Sequence, residues 1–419
     1  MTFPKILIPT KEYALFFLKW TVLGVLMGAL GGLLGAAFHH ALHFVTDLRL
    51  HNEWLIWLLP VGGIAGVGLY RLLRLRQNRG TNEVIDAVLT DSSVAPQVAP
   101  AIFLSSTLTH LFGGSAGREG AALQLGGSVA SSLGRLLKLK GKALSALVTC
   151  GMSAVFAGLF GTPLTACLFV LEFTAIGGIF TPALLPCFLS AYTASRISGM
   201  LGVHPEGVPL TAVFSLTVGN WWKILLLAAA ISALGILMCW FWHKLEHIAH
   251  KWIPNDFLRI AAGGTLLILL TLAVGDQRFN GAGMDMALAA VGGTADWYSF
   301  LLKLLFTGIT LAAGFKGGEI VPTFCIGATF GCFAGALLGL DPGICAALGL
   351  IGLFCCATNS PLASIVLSIE LFGAVNLSVF ALVCIICFVL SGSYSLYGSQ
   401  ILRFPKARMD NEITPISRS

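Results

Sequence analysis

Apolar segments long enough to cross a lipid bilayer recur from one end of this chain to the other. Of its 419 residues, 56% are hydrophobic and only 11% are charged, whereas about a quarter of the residues of a soluble domain are charged. About 20 consecutive apolar residues in a helix span the hydrocarbon core of a membrane. The sequence therefore predicts an all-α polytopic membrane protein and excludes an ordinary soluble domain.

Thirteen apolar segments are predicted to be membrane helices, and a run of small residues from Ala121 to Leu137 also has a helical character. Several segments are shorter than a bilayer is thick. We therefore expect tilted and broken helices, whose irregular ends must be buried in protein or line a wet cavity. The predicted segments are Tyr13 to Leu48 (with a bend near Gly31-Gly32), Glu53 to Leu73, Ala99 to Phe112, Ala143 to Phe160, Pro163 to Thr174, Pro182 to Leu201, Trp221 to His247, Leu258 to Val274, Trp297 to Ala313, Pro322 to Leu340, Gly343 to Cys356, Leu362 to Phe372 and Leu377 to Leu390.

The net charge of +6 does not indicate nucleic-acid binding, because the basic residues are concentrated in short loops. Basic residues beside membrane helices are typical of cytoplasmic loops. We expect a multi-pass protein of the cell inner (plasma) membrane, surrounded by the lipid bilayer and without a nucleic-acid partner. The basic loops contain Arg71, Arg74, Arg76 and Arg79; Arg135, Lys138, Lys140 and Lys142; and Arg403, Lys406 and Arg408.

The eleven cysteines lie singly inside apolar runs, apart from the Cys355-Cys356 pair. Without a spaced framework they are predicted to be small buried hydrophobic residues rather than disulfides or metal ligands. Residues Met1 to Lys11 show no cleavable signal pattern, because the first apolar run continues well beyond the apolar core of a signal peptide.

The two halves of the sequence resemble each other. A Gly-Thr-Pro-Leu run ending at Leu164 is followed nine residues after its proline by Glu172, and an Asn-Ser-Pro-Leu run ending at Leu362 is followed at the same distance by Glu370. The two acids end matched helices. One interpretation is that they face loop water; because they form a pair repeated by symmetry, we interpret them as structural.

Two pairs of glycine-containing stretches also match between the halves. The stretch at Gly80 matches the stretch at Gly283, and Gly117 to Ala121 matches Gly318 to Pro322. Interrupted segments at corresponding positions of two repeats indicate a midplane binding site between them. We predict four regions: 1–11, a cytoplasmic N-terminal segment; 12–205, the first membrane repeat; 206–402, the second membrane repeat; and 403–419, a short polar tail without a regulatory domain.

Glu119 is the most informative single residue. It lies in the stretch from Gly114 to Gly120, between two apolar runs, and an acid at membrane depth is a functional-site hypothesis by default. The surrounding glycines leave the backbone amides accessible, and the start of a helix favours negative charge. Glu119 is therefore predicted to act as a plug in an anion site, which leaves when it is protonated and so couples anion movement to proton movement.

The loops at Gly80, Gly117 and Gly317-Gly318 are each predicted to begin a helix, and together they can converge on one anion site. Glu319 is the second unusual acid. Lys316 lies three residues before it, so an ion pair between them is the alternative to a functional role.

The run His243-Lys244-Leu245-Glu246-His247 matches an inverted zinc-protease pattern, with His39, His40 and His43 as possible further ligands. An intramembrane zinc enzyme would use His243, Glu246 and His247. A five-residue match alone is a weak signal, and both histidine groups fit the polar ends of equivalent helices. We therefore expect no metal, no cofactor and no enzyme activity.

Gly117-Arg118-Glu119-Gly120, the loop from Gly317 to Pro322 and the two Pro-Leu helices together resemble the CLC family of anion channels and anion/proton antiporters. The resemblance covers about Tyr13 to Gln400. It implies a fold of two inverted repeats, a homodimer with a separate pathway in each subunit, and a gating glutamate at Glu119.

Several departures from the usual family pattern resemble its fluoride-exporting clade. The run from Asn78 to Asn82 lacks the usual serine, the usual tyrosine falls on Val375, and the usual internal proton-relay acid falls on Phe173, beside Glu172. In the fluoride-exporting clade the second-loop glutamate, Glu319 here, is required for coupling, and a late tyrosine, Tyr397 here, lines the pathway. The anion-binding residues implied by these matches are Gly80, Thr81, Asn82, Gly117, Arg118, Gly120, Ile320, Val321 and Tyr397.

The sequence thus predicts a fluoride/proton antiporter that exports fluoride. Fluoride is a small, strong hydrogen-bond acceptor, so bare amides and a phenol could replace its water. The alternatives are a chloride/proton antiporter and a passive chloride channel of the same family. The loss of the internal relay acid favours a channel, whereas the extra acid in the second loop favours coupling to protons.

Overall fold

The computed structural model describes residues 10–75, 79–205, 207–210, 212–214, 217, 219–403 and 406. Arg76, Asn78 and Arg408 lie outside these residues, as do most of the predicted N-terminal segment and most of the predicted polar tail.

Sixteen α-helices make up most of the described chain, and the all-α prediction is confirmed. They are α1 (Thr10–His51), α2 (Leu59–Leu72), α3 (Thr81–Leu89), α4 (Val98–Leu111), α5 (Glu119–Leu136), α6 (Lys142–Phe160), α7 (Pro163–Glu172), α8 (Leu184–Met200), α9 (Trp221–Trp252), α10 (Asp256–Val274), α11 (Met284–Val291), α12 (Ser299–Ala313), α13 (Ile320–Leu337), α14 (Pro342–Thr358), α15 (Pro361–Phe372) and α16 (Leu377–Leu390).

The structure differs from the predicted segments in a few places. A 3₁₀ turn, Glu53–Leu58, precedes α2, because Pro60 favours a helix start rather than a helix interior. Helix α3 begins directly after Gly80, where a helix start is predicted. Neither α3 nor α11 is among the predicted membrane helices, since each is too short for a clear apolar period. Helix α1 is continuous through Gly31, where a bend was expected; a Cβ there would lie 2.4 Å from that of Ala154, so this glycine permits close packing on α6.

Six described helices are long and apolar enough to cross a membrane, and six more are apolar but only 10–17 residues long. This agrees with the mixture of spanning and partial helices expected from the sequence. All eleven cysteines are free and buried, as predicted.

The helices form two corresponding sets, α1–α8 and α9–α16. In each set, two helices cross at glycines: α5 meets α6 at Gly126 and Gly151, and α13 meets α14 at Gly327 and Gly349. A Cβ on Gly126 would lie 2.1 Å from the carbonyl oxygen of Gly151, and a Cβ on Gly327 would lie 2.4 Å from that of Gly349. Small residues let helix backbones approach closely in a membrane, where the hydrophobic effect does not hold helices together.

The two sets contact each other through matched elements. Helix α5 contacts α13, α2 contacts α10, and α7 contacts α15. A two-residue strand, β1 (Ala175–Ile176), pairs in parallel with β2 (Ile401–Leu402). Three helices of the first set, α2, α5 and α7, therefore lie against their counterparts in the second.

Glu172 and Glu370 form the structural pair that the repeat predicts, and they do not face loop water. Each carboxylate accepts hydrogen bonds from the first amides of the matched helix in the other set. Both helices begin with a proline, which has no N–H group, so the next two amides are the ones that need acceptors. The Glu172 carboxylate accepts from Leu362 (3.2 Å) and Ala363 (3.0 Å), and that of Glu370 from Leu164 (2.9 Å) and Thr165 (2.8 Å).

Candidate anion and proton site

The starts of α5 and α13 are joined by a small antiparallel bridge. The amide of Gly117 donates to the carbonyl oxygen of Gly318 at 2.7 Å, and the amide of Gly318 donates to the carbonyl oxygen of Gly117 at 2.7 Å. A Cβ on Gly318 would lie 2.6 Å from the nitrogen of Gly120. Glycine is therefore required for this approach, which brings together the two helix starts that the repeat predicts to converge.

Glu119 is fully buried at the first residue of α5, where the sequence predicts it. Its Oε2 atom accepts hydrogen bonds from the amide of Arg118 (3.0 Å) and from the amide of Val321 (3.3 Å). The Arg118 amide belongs to the first repeat, and the Val321 amide belongs to the second. The carboxylate thus occupies a position between the two helix starts where partial positive charge favours an anion.

Arg118 lies beside this carboxylate. Its Nε atom is 3.6 Å from Oε1 of Glu119, and its side chain is only 13% exposed. The guanidinium group contacts Nδ1 of His39 at 3.2 Å and lies over the ring of Phe160. These contacts hold a positive charge next to Glu119.

Glu319 immediately precedes α13 and reaches toward the first loop. Its Oε2 atom is 3.0 Å from the position that a Cβ on Gly120 would take, and this buried oxygen has no hydrogen-bond partner among the described residues. The alternative ion pair with Lys316 is not formed in the described part of the chain, because the ammonium group of Lys316 lies over the ring of Tyr70 instead.

The third loop also reaches Gly120. Helix α3 begins at Thr81, whose Oγ1 atom is 2.9 Å from the same Cβ position on Gly120. Gly80 precedes it with φ of 58°, in the left-handed region, and Oδ1 of Asn82 accepts from the amide of Ser399 at 3.0 Å. The three predicted loops therefore converge, with Ile320 and Val321 buried at the start of α13.

Tyr397 lies in the segment that follows α16. It is 3% exposed, and its hydroxyl group has no hydrogen-bond partner among the residues that the structure describes. Its ring packs edge to face on Phe173, with 5.5 Å between ring centroids. Phe173, at the usual position of the internal relay acid, thus packs against Tyr397 through an aromatic contact.

A cavity of about 1440 Å³ leads to this point. Its inner end is lined by Thr81, Gln124, Glu319 and Tyr397, and Arg71 and several other basic residues of the predicted cytoplasmic loops line it as well. Gly80 and Asn82 also line it, whereas Glu119 is not among its lining residues. Glu319 and Tyr397 thus line the cavity directly, whereas Glu119 is buried outside its lining.

Lys303 is a residue that the sequence reasoning missed. It is fully buried in α12, and its ammonium group donates to Oγ of Ser115 (3.0 Å) and to the carbonyl oxygens of Phe279 (3.1 Å) and Gly281 (2.7 Å). Ser115 lies four residues before Glu119. A lysine inside the apolar run from Trp297 to Ala313 was the signal that could have identified it.

The two histidine groups have equivalent structural contacts. Nε2 of His40 on α1 lies 2.8 Å from the carbonyl oxygen of Leu201, just after α8, and Nε2 of His243 on α9 lies 2.8 Å from that of Ser395, just after α16. No group of three or more potential metal ligands occurs within the described ranges. The histidines therefore fit polar ends of corresponding helices.

These features define a class of protein. Two matched sets of membrane helices surround a buried junction where acids, backbone amides and a basic cavity meet, which is typical of a secondary transporter for a small anion. The sequence profile of the voltage-gated chloride channel family matches residues 64–392. The chain belongs to this family, the CLC family, and is a multi-pass protein of the cell inner membrane.

Individual relatives support the same assignment. A "chloride/fluoride channel protein" of Pseudomonas syringae pv. tomato is 34% identical over 92% of this chain and 87% of its own length. An H⁺/Cl⁻ exchange transporter of Vibrio campbellii is 26% identical over 87% of this chain and 82% of its own length.

Solved structures confirm the fold. The crystal structure of a CLC-type fluoride/proton antiporter matches 94% of this chain and 100% of its own, with a TM-score of 0.89 and 34% identity. A slow cyanobacterial Cl⁻/H⁺ antiporter matches 89% of this chain and 94% of its own with a TM-score of 0.76; at 20% identity it shows the fold alone.

Proposed function

We propose that this protein is a fluoride/proton antiporter that exports fluoride, with Glu119 as its gating glutamate and Glu319 as a second acid required for coupling. The observation that carries the proposal is the hydrogen bond from the Val321 amide to the Glu119 carboxylate. This titratable carboxylate of the first repeat thereby occupies an amide of the second. A relative named as a chloride/fluoride channel protein and a similar structure titled as a fluoride/proton antiporter support fluoride as the cargo.

The exchange follows from the charge of Glu119. While ionised, its carboxylate holds the amides of Arg118 and Val321. When a proton arrives, the carboxyl group becomes a much weaker acceptor, so these amides become available to fluoride. Each proton taken up therefore frees one anion site. Inward movement of protons can then drive fluoride outward.

The remaining predicted residues provide the anion's hydrogen-bond donors. The hydroxyl group of Tyr397, which has no partner among the described residues, and the Thr81 hydroxyl line the cavity end where fluoride would enter. Charge-assisted hydrogen bonds of this kind replace the hydration shell of a small, hard anion. The backbone and side-chain groups assigned to anion binding are those of Gly80, Thr81, Asn82, Gly117, Arg118, Gly120, Ile320, Val321 and Tyr397.

We also propose that the protein works as a homodimer, each subunit with its own pathway, and that residues 12–205 and 206–402 are its two membrane repeats. Its partners are then fluoride, protons, the bilayer and a second copy of the chain. The proposal includes no cofactor and no enzymatic reaction.

A flux assay in proteoliposomes tests the function. Vesicles are loaded with equal fluoride and chloride, and efflux is followed with anion-selective electrodes while a pH electrode follows protons. The antiporter is expected to release fluoride much faster than chloride and to move protons into the vesicles. Chloride efflux equal to fluoride efflux would contradict the fluoride assignment.

The same assay separates the alternatives within the family. A chloride/proton antiporter would release chloride with proton uptake. A potassium ionophore balances the charge in every case, because an anion leaving and a proton entering both make the vesicle interior more positive. A passive channel would release anion and move no protons. The second-loop acid Glu319, whose Oε2 has no protein partner in the described part of the chain, favours coupling over a passive channel.

A further inference from the structure

The cavity has two walls of different chemistry. One wall, built by α2, the start of α3 and α10, carries the basic side chains of Arg71, Arg74, Arg79 and Arg259. The other wall is α9. It presents His243, Glu246 and His250 to the cavity, a spacing of three and four residues that places them on one helix face.

The acids of the basic wall are already paired. Asp256 contacts Arg259 at 2.7 Å and Arg71 at 3.6 Å, and Arg79 is paired with Asp86. Glu246 is exposed to the cavity and forms no ion pair within the described ranges. Its charge lies within electrostatic reach of both Glu319 and Lys316.

A cavity that admits both an anion and a proton has opposite electrostatic requirements for the two ions. The basic wall raises the local concentration of fluoride, and the same field repels protons. A protonated histidine would add another positive charge to this cavity, whereas a carboxylate becomes neutral when it takes a proton. The remaining titratable groups that face the cavity are Tyr70 on α2, Cys239 on α9, Lys316 before α13 and Tyr397 after α16.

We propose that Glu246 is the proton acceptor between Glu319 and the cytoplasm. This inference rests on the proposed function. The O–H bond of protonated Glu319 breaks as a cavity water takes the proton, a water passes a proton on, and an O–H bond forms on the Glu246 carboxylate. Glu246 then gives this proton to water at the cavity mouth, so that both carboxylates are restored. The α9 wall thus carries protons while the basic wall collects fluoride.

Glu246→Gln tests this role because it keeps the shape of the side chain and removes proton transfer. In proteoliposomes we expect fluoride and proton turnover to fall together, about five- to tenfold, with the exchange ratio unchanged. Imidazole at equal concentration on both sides acts as a mobile proton carrier and is expected to restore fluoride turnover. Glu246→Asp should retain most of the activity. His247→Gln is the matched control, since His247 is adjacent and exposed but does not line the cavity.

The outcomes distinguish this inference from the function on which it rests. A wild-type protein that moves fluoride without protons overturns both. A coupled wild-type protein with an unimpaired Glu246→Gln variant overturns only the role of Glu246. Slow transport by Glu246→Gln that imidazole leaves unchanged also overturns it, because a loss of charge or of local structure is not rescued by a mobile proton carrier.

Discussion

Glu172 and Glu370 exchange helix caps between the two repeats. Glu172, at the end of α7, caps the start of α15, and Glu370, at the end of α15, caps the start of α7. A carboxylate at a helix start satisfies free amides and interacts favourably with the helix dipole. The two short helices are thus joined into one reciprocal pair, which ties the first repeat to the second.

The first prediction concerns this pair. Glu172→Ala leaves two buried amides without an acceptor, and we expect it to lower the free energy of unfolding by about 1–3 kcal/mol. Glu370→Ala should cost less, since Glu370 is only partly buried. Thermal unfolding in detergent measures both. Glu53→Ala, in the exposed 3₁₀ turn, is the control; a loss no larger than that of the control would contradict the capping role.

Much of the site could be predicted from the sequence because it is encoded locally. The glycines around Glu119 leave the backbone amides accessible, and Glu119 is the first residue of α5. The matched stretch in the second half has nearly the same spacing, so the convergence at Gly120 follows from the repeat. Helix positions were predictable for a related reason, since apolar runs in a membrane have few alternatives to a helix.

Contacts between distant segments could not be predicted in this way. Lys316 is three residues from Glu319, and sequence distance suggested an ion pair; the structure turns its ammonium group onto Tyr70, which lies far away in the sequence. The contact of Lys303 with Ser115 likewise joins residues 188 positions apart. Only packing of the two repeats brings such groups together.

The second prediction concerns Gly117. A Cβ there would lie 2.5 Å from Oε2 of Glu119 and 3.0 Å from Cδ of Pro322, so Gly117→Ala must displace the carboxylate from its amides. We expect transport to fall at least tenfold, with a stability loss of about 1–3 kcal/mol from overpacking. Gly68→Ala, where nothing lies within 4 Å of the new methyl group, should behave like the wild type in the same flux assay. Equal activity of the two variants would contradict the prediction.

The third prediction concerns Lys303. Lys303→Met keeps the apolar stem but removes three hydrogen bonds and leaves Ser115 and two carbonyl groups without their donor. We expect a loss of about 3 kcal/mol or more in stability, together with slower transport because the loop before Glu119 is no longer held. Thermal unfolding and fluoride flux are measured together. Lys19→Met, at an exposed position of α1, is the control. Unchanged stability of Lys303→Met would show that Lys303 does not hold the loop.

The fourth prediction concerns Glu119. Glu119→Gln removes the titratable charge while keeping the side-chain length, so anion movement can no longer be linked to a proton. We expect fluoride-driven proton movement to fall below detection. Residual fluoride flux, where present, should then proceed without proton movement while a potassium ionophore balances the charge. Proton flux equal to that of the wild type would exclude Glu119 as the coupling residue.

The fifth prediction concerns Tyr397, whose buried hydroxyl group has no protein partner in the described residues. Tyr397→Phe therefore breaks no protein hydrogen bond, and the Phe173 ring can still pack on the new side chain. We expect the unfolding temperature to stay the same or to rise, since an unsatisfied polar group is removed. Fluoride transport should fall about tenfold, which corresponds to one lost hydrogen bond of roughly 1.4 kcal/mol. Thermal unfolding and fluoride flux separate the two effects. A fall in stability with unchanged flux would assign the hydroxyl group to the fold instead of to the anion.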